Sequence, residues 1–212
     1  SLEHKVAQMF MVNLFGETLT FAGQEILETW QPGAVVLFGS NITTPQRIAD
    51  LTNSYQQTIT DAGGIPLFVA VDQEGGVIAR LQEGFTTFPV PMLVTATGDT
   101  DLAFRTGSAM GRELRAVGIN MNLAPVADLN TNRDNPIIGR RSPGTDPDLV
   151  GQMLPAVIDG IQSQNVMATV KHFPGHGDTF EDSHTTLPVI DHDRARLDAV
   201  ELPPFIAGMN AG

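Results

Sequence analysis

Short apolar runs alternate with amphipathic runs along the whole chain, the short runs are apolar on both faces, and conspicuous polar residues fall at or just beyond their C-terminal ends. These three observations predict an α/β fold of repeated βα units around a parallel sheet, of the TIM-type (β/α)8 barrel kind. A doubly wound dinucleotide-binding sheet would carry G-x-G-x-x-G after a strand, and the chain has no such segment. Four strands are expected in 212 residues, whereas a complete eightfold barrel takes about 250, so the chain reads as roughly the first half of a barrel.

The elements follow in order. Leu2, Val6, Met9 and Phe10 share one stripe, which predicts an opening helix from about Leu2 to Leu14. "GAVVLF", Gly33 to Phe38, reads as a first buried strand. Thr44 is a good N-cap with Pro45 at the first helical position, and Ile48, Leu51 and Ile59 keep helical spacing until Gly63-Gly64. "PLFVAVD", Pro66 to Asp72, is the second strand, and a helix over about Asp101 to Val117 stops at Gly118. "INMNLAPVADLN" supplies the third strand. Asp146-Pro147 opens a helix with Leu149, Val150, Met153, Leu154, Val157 and Ile161 on its buried face, and Pro155 inside it predicts a kink or a local break. "VMATVKHF", Val166 to Phe173, is the fourth strand, and a last helix starts near Asp193.

Composition narrows the function. With 42% hydrophobic residues the chain can bury a real core. No apolar run reaches the roughly 18 residues of a membrane span, and "SLEHKVAQMF" lacks the charged region, apolar region and cleavage site of a signal peptide. A start at Ser1 rather than Met is compatible with a trimmed leader, so both a cytoplasmic and an exported protein fit. Without cysteine there is no disulfide or thiol chemistry. A net charge of -12, with 12 Lys and Arg scattered along the chain, argues against a nucleic-acid partner.

The stretch "KHFPGHGDTFEDSHTTLP", Lys171 to Pro188, gathers three of the five histidines directly after a strand. His172 and His176, with Asp178, Asp182 and His184 nearby, are residue types that bind zinc or iron. An i, i+4 histidine pair grips a metal from a helix, however, and Pro174, Gly175 and Gly177 disfavour a helix, so neither a metal nor another cofactor is expected. Acid-base chemistry fits better. Asp182 and His184 project from the same side of an extended segment, and a carboxylate that orients an imidazole makes it a competent proton donor and acceptor. Glycines around them permit the loop to move over a substrate.

"KHFPGHGDT" followed by "DSH", "VDQEGGVIARL" and "IIGRRSPG" resemble three motifs of glycoside hydrolase family 3, in the order found in its β-N-acetylglucosaminidase (β-N-acetylhexosaminidase) branch. The resemblance implies that residues 1–212 are the N-terminal part of a single catalytic barrel domain whose remainder is missing. It implies a retaining hydrolase that removes terminal β-linked N-acetylglucosamine from peptidoglycan fragments or chitooligosaccharides, with a role in cell wall recycling. His184 would be the acid/base, oriented by Asp182. Asp72, Arg80, Arg141, Lys171 and His172 would line the sugar subsite, with structural salt bridges under the barrel rim an equal alternative for Arg80 and Arg141. Turn and cap roles are expected for Asp128, Asn130 and Asn132, service to its own loop for Glu74, and loop structure for His176. Pro143 and Val77 depart from the family pattern, which has an aromatic and a basic residue there.

The nucleophile that a retaining enzyme needs is an aspartate downstream of the "DSH" loop in this family. Asp191, Asp193 and Asp198 fall in a turn and helix leading away, so this chain alone is expected to be inactive. Two other readings stand beside the enzyme: a non-catalytic half-barrel that binds amino sugars or self-associates, and a metal hydrolase. Unpaired sheet edges motivate the former.

Overall fold

The computed structural model describes residues 1–212. Helix α1 (Leu2–Ala7) is capped by Ser1 and leads into strand β1 (Met11–Val12), followed by α2 (Phe21–Thr29) and β2 (Ala34–Leu37). Next come α3 (Pro45–Asp61), β3 (Phe68–Val71) and the small hairpin β4 (Gln73–Gly75) and β5 (Ile78–Ala79). Helices α4 (Pro91–Thr95) and α5 (Thr100–Ala116) precede β6 (Met121–Asn122), and a 3-10 turn over Gly139–Arg141 precedes α6 (Pro147–Gln162). The chain closes with β7 (Met167–Ala168), α7 (Arg194–Arg196), a π-helical turn over Leu197–Glu201 and α8 (Leu202–Asn210). No helix is long and apolar enough to cross a membrane.

The main sheet is parallel throughout, in the order β1-β2-β3-β6-β7. Each strand therefore presents its C-terminal end to the same rim, which is how residues from distant motifs can meet. The expected α/β architecture with a parallel sheet is present, but with five strands rather than four. The opening helix ends seven residues short of the expected Leu14, because Met11 and Val12 pair with Ala34 and Val35. Gly33 permits that close approach: a Cβ there would sit 2.1 Å from the Gln8 carbonyl oxygen. The apolar run from Met9 to Val12 satisfies both periodicities, and the neighbouring strand decides between them. Helix α2 had no counterpart among the expected elements.

The helices expected after Thr44 and Asp146 start there, and the one expected from about Asp101 starts at Thr100 behind Asp99. Thr44, Asp99 and Asp146 accept hydrogen bonds from the backbone N–H groups two or three residues on, contacts of about 1 kcal/mol each. Leu37, Ile48, Tyr55, Val69, Leu114 and Ile161 fill one core between the sheet and α3, α5 and α6. Helix α6 runs through Pro155 without the local break that the proline allowed, and it packs against α5 and α8. On that helix Val150, Met153, Leu154 and Ile161 are buried as expected, while Leu149 and Val157 are only half-buried. A helical segment starts at Asp193 as expected, with Asp193 capping α7, but Pro203 and Pro204 supply no N–H to the preceding turn, which widens into the π-helical form before α8.

Leu2, Val6, Met9 and Phe10, the apolar stripe that predicted the opening helix, are exposed. Leu2, Val6 and Phe10 line an apolar groove of about 550 Å³ together with Ile26 and Trp30. β1 and β7 are the unpaired edges of the sheet.

Candidate active site

Asp72 follows β3 directly, and the amide of Asn122 on β6 holds the next residue: its Oδ1 accepts from Gln73 N–H at 3.1 Å and its Nδ2 donates to Gln73 C=O at 2.9 Å. The Gln73 side chain in turn bonds both backbone groups of Leu81, which closes the β4–β5 hairpin and presents Arg80. The segment after β6 reaches Asp128, and the "RSPG" turn is tied to it through buried Ser142. The Ser142 hydroxyl lies 2.7 Å from the Asp128 carbonyl and accepts from the N–H groups of Asn130 and Gly144. Gly177 lets the histidine loop lie on this segment, since a Cβ there would fall 1.7 Å from the Leu129 carbonyl oxygen.

A cleft of about 350 Å³ opens at the C-terminal ends of the strands. Six of the seven residues singled out from the sequence, Asp72, Arg80, Arg141, Lys171, His172 and His184, line it, and Asp182 joins them through His184. The larger apolar groove beside α1 offers only Glu3 as a charged group. The smaller cleft, by contrast, is lined by several charged donors and acceptors.

Its floor is a chain of ion pairs. Lys171 Nζ donates to Asp72 Oδ1 at 2.6 Å and lies 2.7 Å from Glu74 Oε1. Arg141 forms a two-pronged pair with Glu74, both bonds 2.9 Å long, the geometry in which guanidinium binds carboxylate best. Burial disfavours the Arg141 charge, but the Glu74 bonds and the carboxylates of Glu74, Asp128 and Asp72 outweigh it and raise the pKa. Arg141 thus forms a structural salt bridge, and its side chain also faces the cleft. Arg80 is exposed, and its guanidinium makes no ion pair within residues 1–212.

Glu74 does not merely serve its own loop. Its side chain is fully buried and neutralises two cations from other motifs. Asp128 likewise exceeds the expected turn or cap role. It is fully buried, and it accepts from the N–H groups of His172 and His176 at 3.1 and 2.8 Å and from His172 Nδ1 at 2.5 Å. A signal for Glu74 lay in charge arithmetic: Arg80, Arg141 and Lys171 converge on a subsite to which Asp72 alone was assigned as a carboxylate. Asp128 carried no such mark, because its partners are mostly backbone groups.

The tautomer of His172 follows from its neighbours. Arg141 Nη2, which can only donate, lies 3.1 Å from His172 Nε2, so that nitrogen accepts and Nδ1 carries the proton donated to Asp128. Burial holds His176 below the ordinary histidine range, against the pull of Asp128. Its nitrogens lie 2.6 Å from Thr179 Oγ1 and 3.1 Å from Ser183 Oγ, so it organises the loop. Asn132 and Asn135 tie the same loop down by donating to the Thr179 carbonyl.

Asp182 and His184 stand apart on an exposed limb. His184 Nδ1 is 2.6 Å from Asp182 Oδ1, which also accepts the His184 backbone N–H at 2.9 Å. These two bonds hold the Asp182 carboxyl below its usual range, so it is ionised and takes Nδ1–H. Nε2 is then the nitrogen left for proton exchange. The site as a whole combines a floor of paired charges with a carboxylate-oriented imidazole on a separate limb.

Fold and cleft define an α/β domain of barrel type with its polar site at the C-terminal rim of a parallel sheet. The chain belongs to glycosyl hydrolase family 3: the model of that family's N-terminal domain matches residues 1–212. Beta-hexosaminidase A of Pseudoalteromonas piscicida is 40% identical over 187 residues, which is 85% of this chain and 31% of that protein. The beta-hexosaminidase of Stenotrophomonas maltophilia strain K279a is 35% identical over 210 residues, 96% of this chain and 61% of that protein. Among solved structures, a family 3 beta-N-acetylglucosaminidase from Paenibacillus sp. FPU-7 superimposes with a TM-score of 0.97 at 41% identity, over 100% of this chain and 40% of that one. NagZ of Neisseria gonorrhoeae gives 0.87 at 30% identity, over 95% of this chain and 59% of that one. The chain thus spans between 31% and 61% of the length of these curated relatives.

Proposed function

We propose that residues 1–212 are the N-terminal part of a single catalytic barrel and that the full-length protein is a retaining β-N-acetylhexosaminidase. Its substrates are terminal β-linked N-acetylglucosaminides, of peptidoglycan-fragment or chitooligosaccharide type. His184 is the acid/base and Asp182 orients it, while Asp72, Arg80, Arg141, Lys171 and His172 bind the sugar. The observation that carries this reading is one cleft lined by both the charged floor and His184, which pairs with Asp182. A site that meets sugar hydroxyls with charged donors and acceptors discriminates strongly against sugars lacking them. The relatives described above, beta-hexosaminidases and a beta-N-acetylglucosaminidase, support the same chemistry. The aspartate nucleophile lies downstream of Gly212 in this reading.

The test is hydrolysis of a panel of nitrophenyl glycosides by the full-length protein and by residues 1–212 alone. The expected result is turnover of the β-N-acetylglucosaminide by the full-length protein, little with the β-glucoside or the α-anomer, and none by residues 1–212. Turnover by the 212-residue chain would refute the placement of the nucleophile.

A second reading, self-association of the half-barrel, is favoured by the exposed Leu2, Val6, Phe10 and Trp30 beside the unpaired edge of β1. It predicts a dimer of residues 1–212 in light scattering that Phe10→Asp and Trp30→Ser return to monomer. A strictly monomeric chain counts against it.

A further inference from the structure

The limb that carries Asp182 and His184 has little holding it. From Phe180 to Asp191 no residue is buried, and there is no helix or strand between Met167–Ala168 and Arg194. Its ascending side is held where His176 meets Ser183, and a turn ties Thr185 and Thr186 back to Asp182. On the descending side, from Leu187 to His192, one hydrogen bond exists: His192 Nε2 donates to Asp178 Oδ2 at 2.6 Å.

Asp178 is a fixed point. Its other oxygen accepts from Thr131 Oγ1 at 2.7 Å, and the adjacent Gly177 carbonyl accepts the Asn132 N–H at 3.3 Å, so Asp178 belongs to the rim. His192 and Asp178 are both about three-quarters buried, unlike the limb between them. Burial alone would raise the Asp178 pKa, but the Thr131 and His192 bonds outweigh it and hold the carboxylate ionised.

We infer that the His192–Asp178 pair is a clamp that pins the returning end of the loop to the rim and thereby sets where His184 stands over the cleft. His192 is a positioning residue in this account, since it lines no part of the cleft. Closing a loop at both ends restricts the paths open to its middle. General acid transfer is sensitive to such placement, because displacement of about 1 Å can cost ~10²-fold in rate. This inference rests on His184 being the acid/base.

The test compares His192→Ala, His192→Gln and, in parallel, His184→Ala in the full-length protein, each on a β-N-acetylglucosaminide with a poor leaving group and on the 2,4-dinitrophenyl glycoside. Dinitrophenolate departs without a proton, so kcat/KM on that substrate does not report acid placement. For His192→Ala the expectation is a fall in kcat/KM of roughly 10-fold or more on the poor leaving group, with a change within about 2-fold on the dinitrophenyl glycoside. His192→Gln, whose amide nitrogen can stand where Nε2 stood, is expected to recover most of the loss. Should His192→Ala not fold, Thr131→Val loosens Asp178 from the rim and is expected to give the same split. A His192 or Thr131 variant that matches wild type, or that falls equally on both substrates, overturns the clamp while a damaged His184→Ala keeps the acid/base reading. If His184→Ala is itself unimpaired on the poor leaving group, the acid/base reading falls and the clamp with it.

Discussion

His184→Ala in the full-length protein is expected to lower kcat/KM on a poorly activated β-N-acetylglucosaminide by about 10²- to 10⁴-fold, the usual contribution of a positioned proton donor. The alanine variant removes Nε2 and leaves the charged floor untouched, since no bond of Asp72, Glu74, Arg141, Lys171 or His172 involves His184. Binding of a sugar should therefore survive. On the dinitrophenyl glycoside kcat/KM should hold while kcat falls, because water attack on the glycosyl-enzyme still needs a base. Azide, which attacks as an anion, should restore kcat and yield the β-glycosyl azide. An unaffected rate on the poor leaving group would remove His184 from the chemistry.

Asp128→Ala is expected to produce the largest structural loss. Two backbone N–H groups and the Nδ1–H of His172 converge on a carboxylate that has no exposure to solvent. Alanine leaves these donors without their acceptor, at about 1 to 3 kcal/mol for each that stays buried, a large share of the ~5 to 15 kcal/mol that holds a domain together. The measurement is a denaturant melt of the full-length variant beside wild type.

Asp128→Asn separates shape from charge at the same position. If the amide oxygen keeps the two backbone bonds, its NH2 faces His172 Nδ1, which must then accept. The proton moves to Nε2, which now points at Arg141 Nη2, and two donors oppose each other 3.1 Å apart. The asparagine variant should therefore fold with a loss of about 1 to 3 kcal/mol and still lose activity. Wild-type activity in that variant would show that the His172 tautomer does not matter to the site.

Glu74 and Asp128 explain why part of the site escaped sequence reading. Neither residue type is unusual after a strand, and nothing nearby marks either as a buried hub. Their roles come from partners far along the chain: Glu74 meets Arg141 67 residues on, and Asp128 meets His172 44 residues on. Arg141 shows the opposite limit, since its motif was legible but its division between a salt bridge and the cleft was not. The exposed stripe of α1 is a third case. Its helical period was readable, yet which neighbour covers that face depends on what packs there.

By itself the sequence determined the local elements that have a chemical start or stop, such as the Thr44, Asp146 and Asp193 caps, and the alternation that demands a parallel sheet. It also determined the Asp182–His184 pair, whose members lie two residues apart and need no distant partner. Only the tertiary structure decided that Met11–Val12 is a strand, that Asp72 meets Lys171 across 99 residues, and that Glu74 and Asp128 are buried hubs. The physical reason is one of range. Caps and periodicities act within a turn or two of the backbone, whereas parallel crossovers bring strand ends together from across the chain, and a carboxylate's partners are settled only when those ends share a rim.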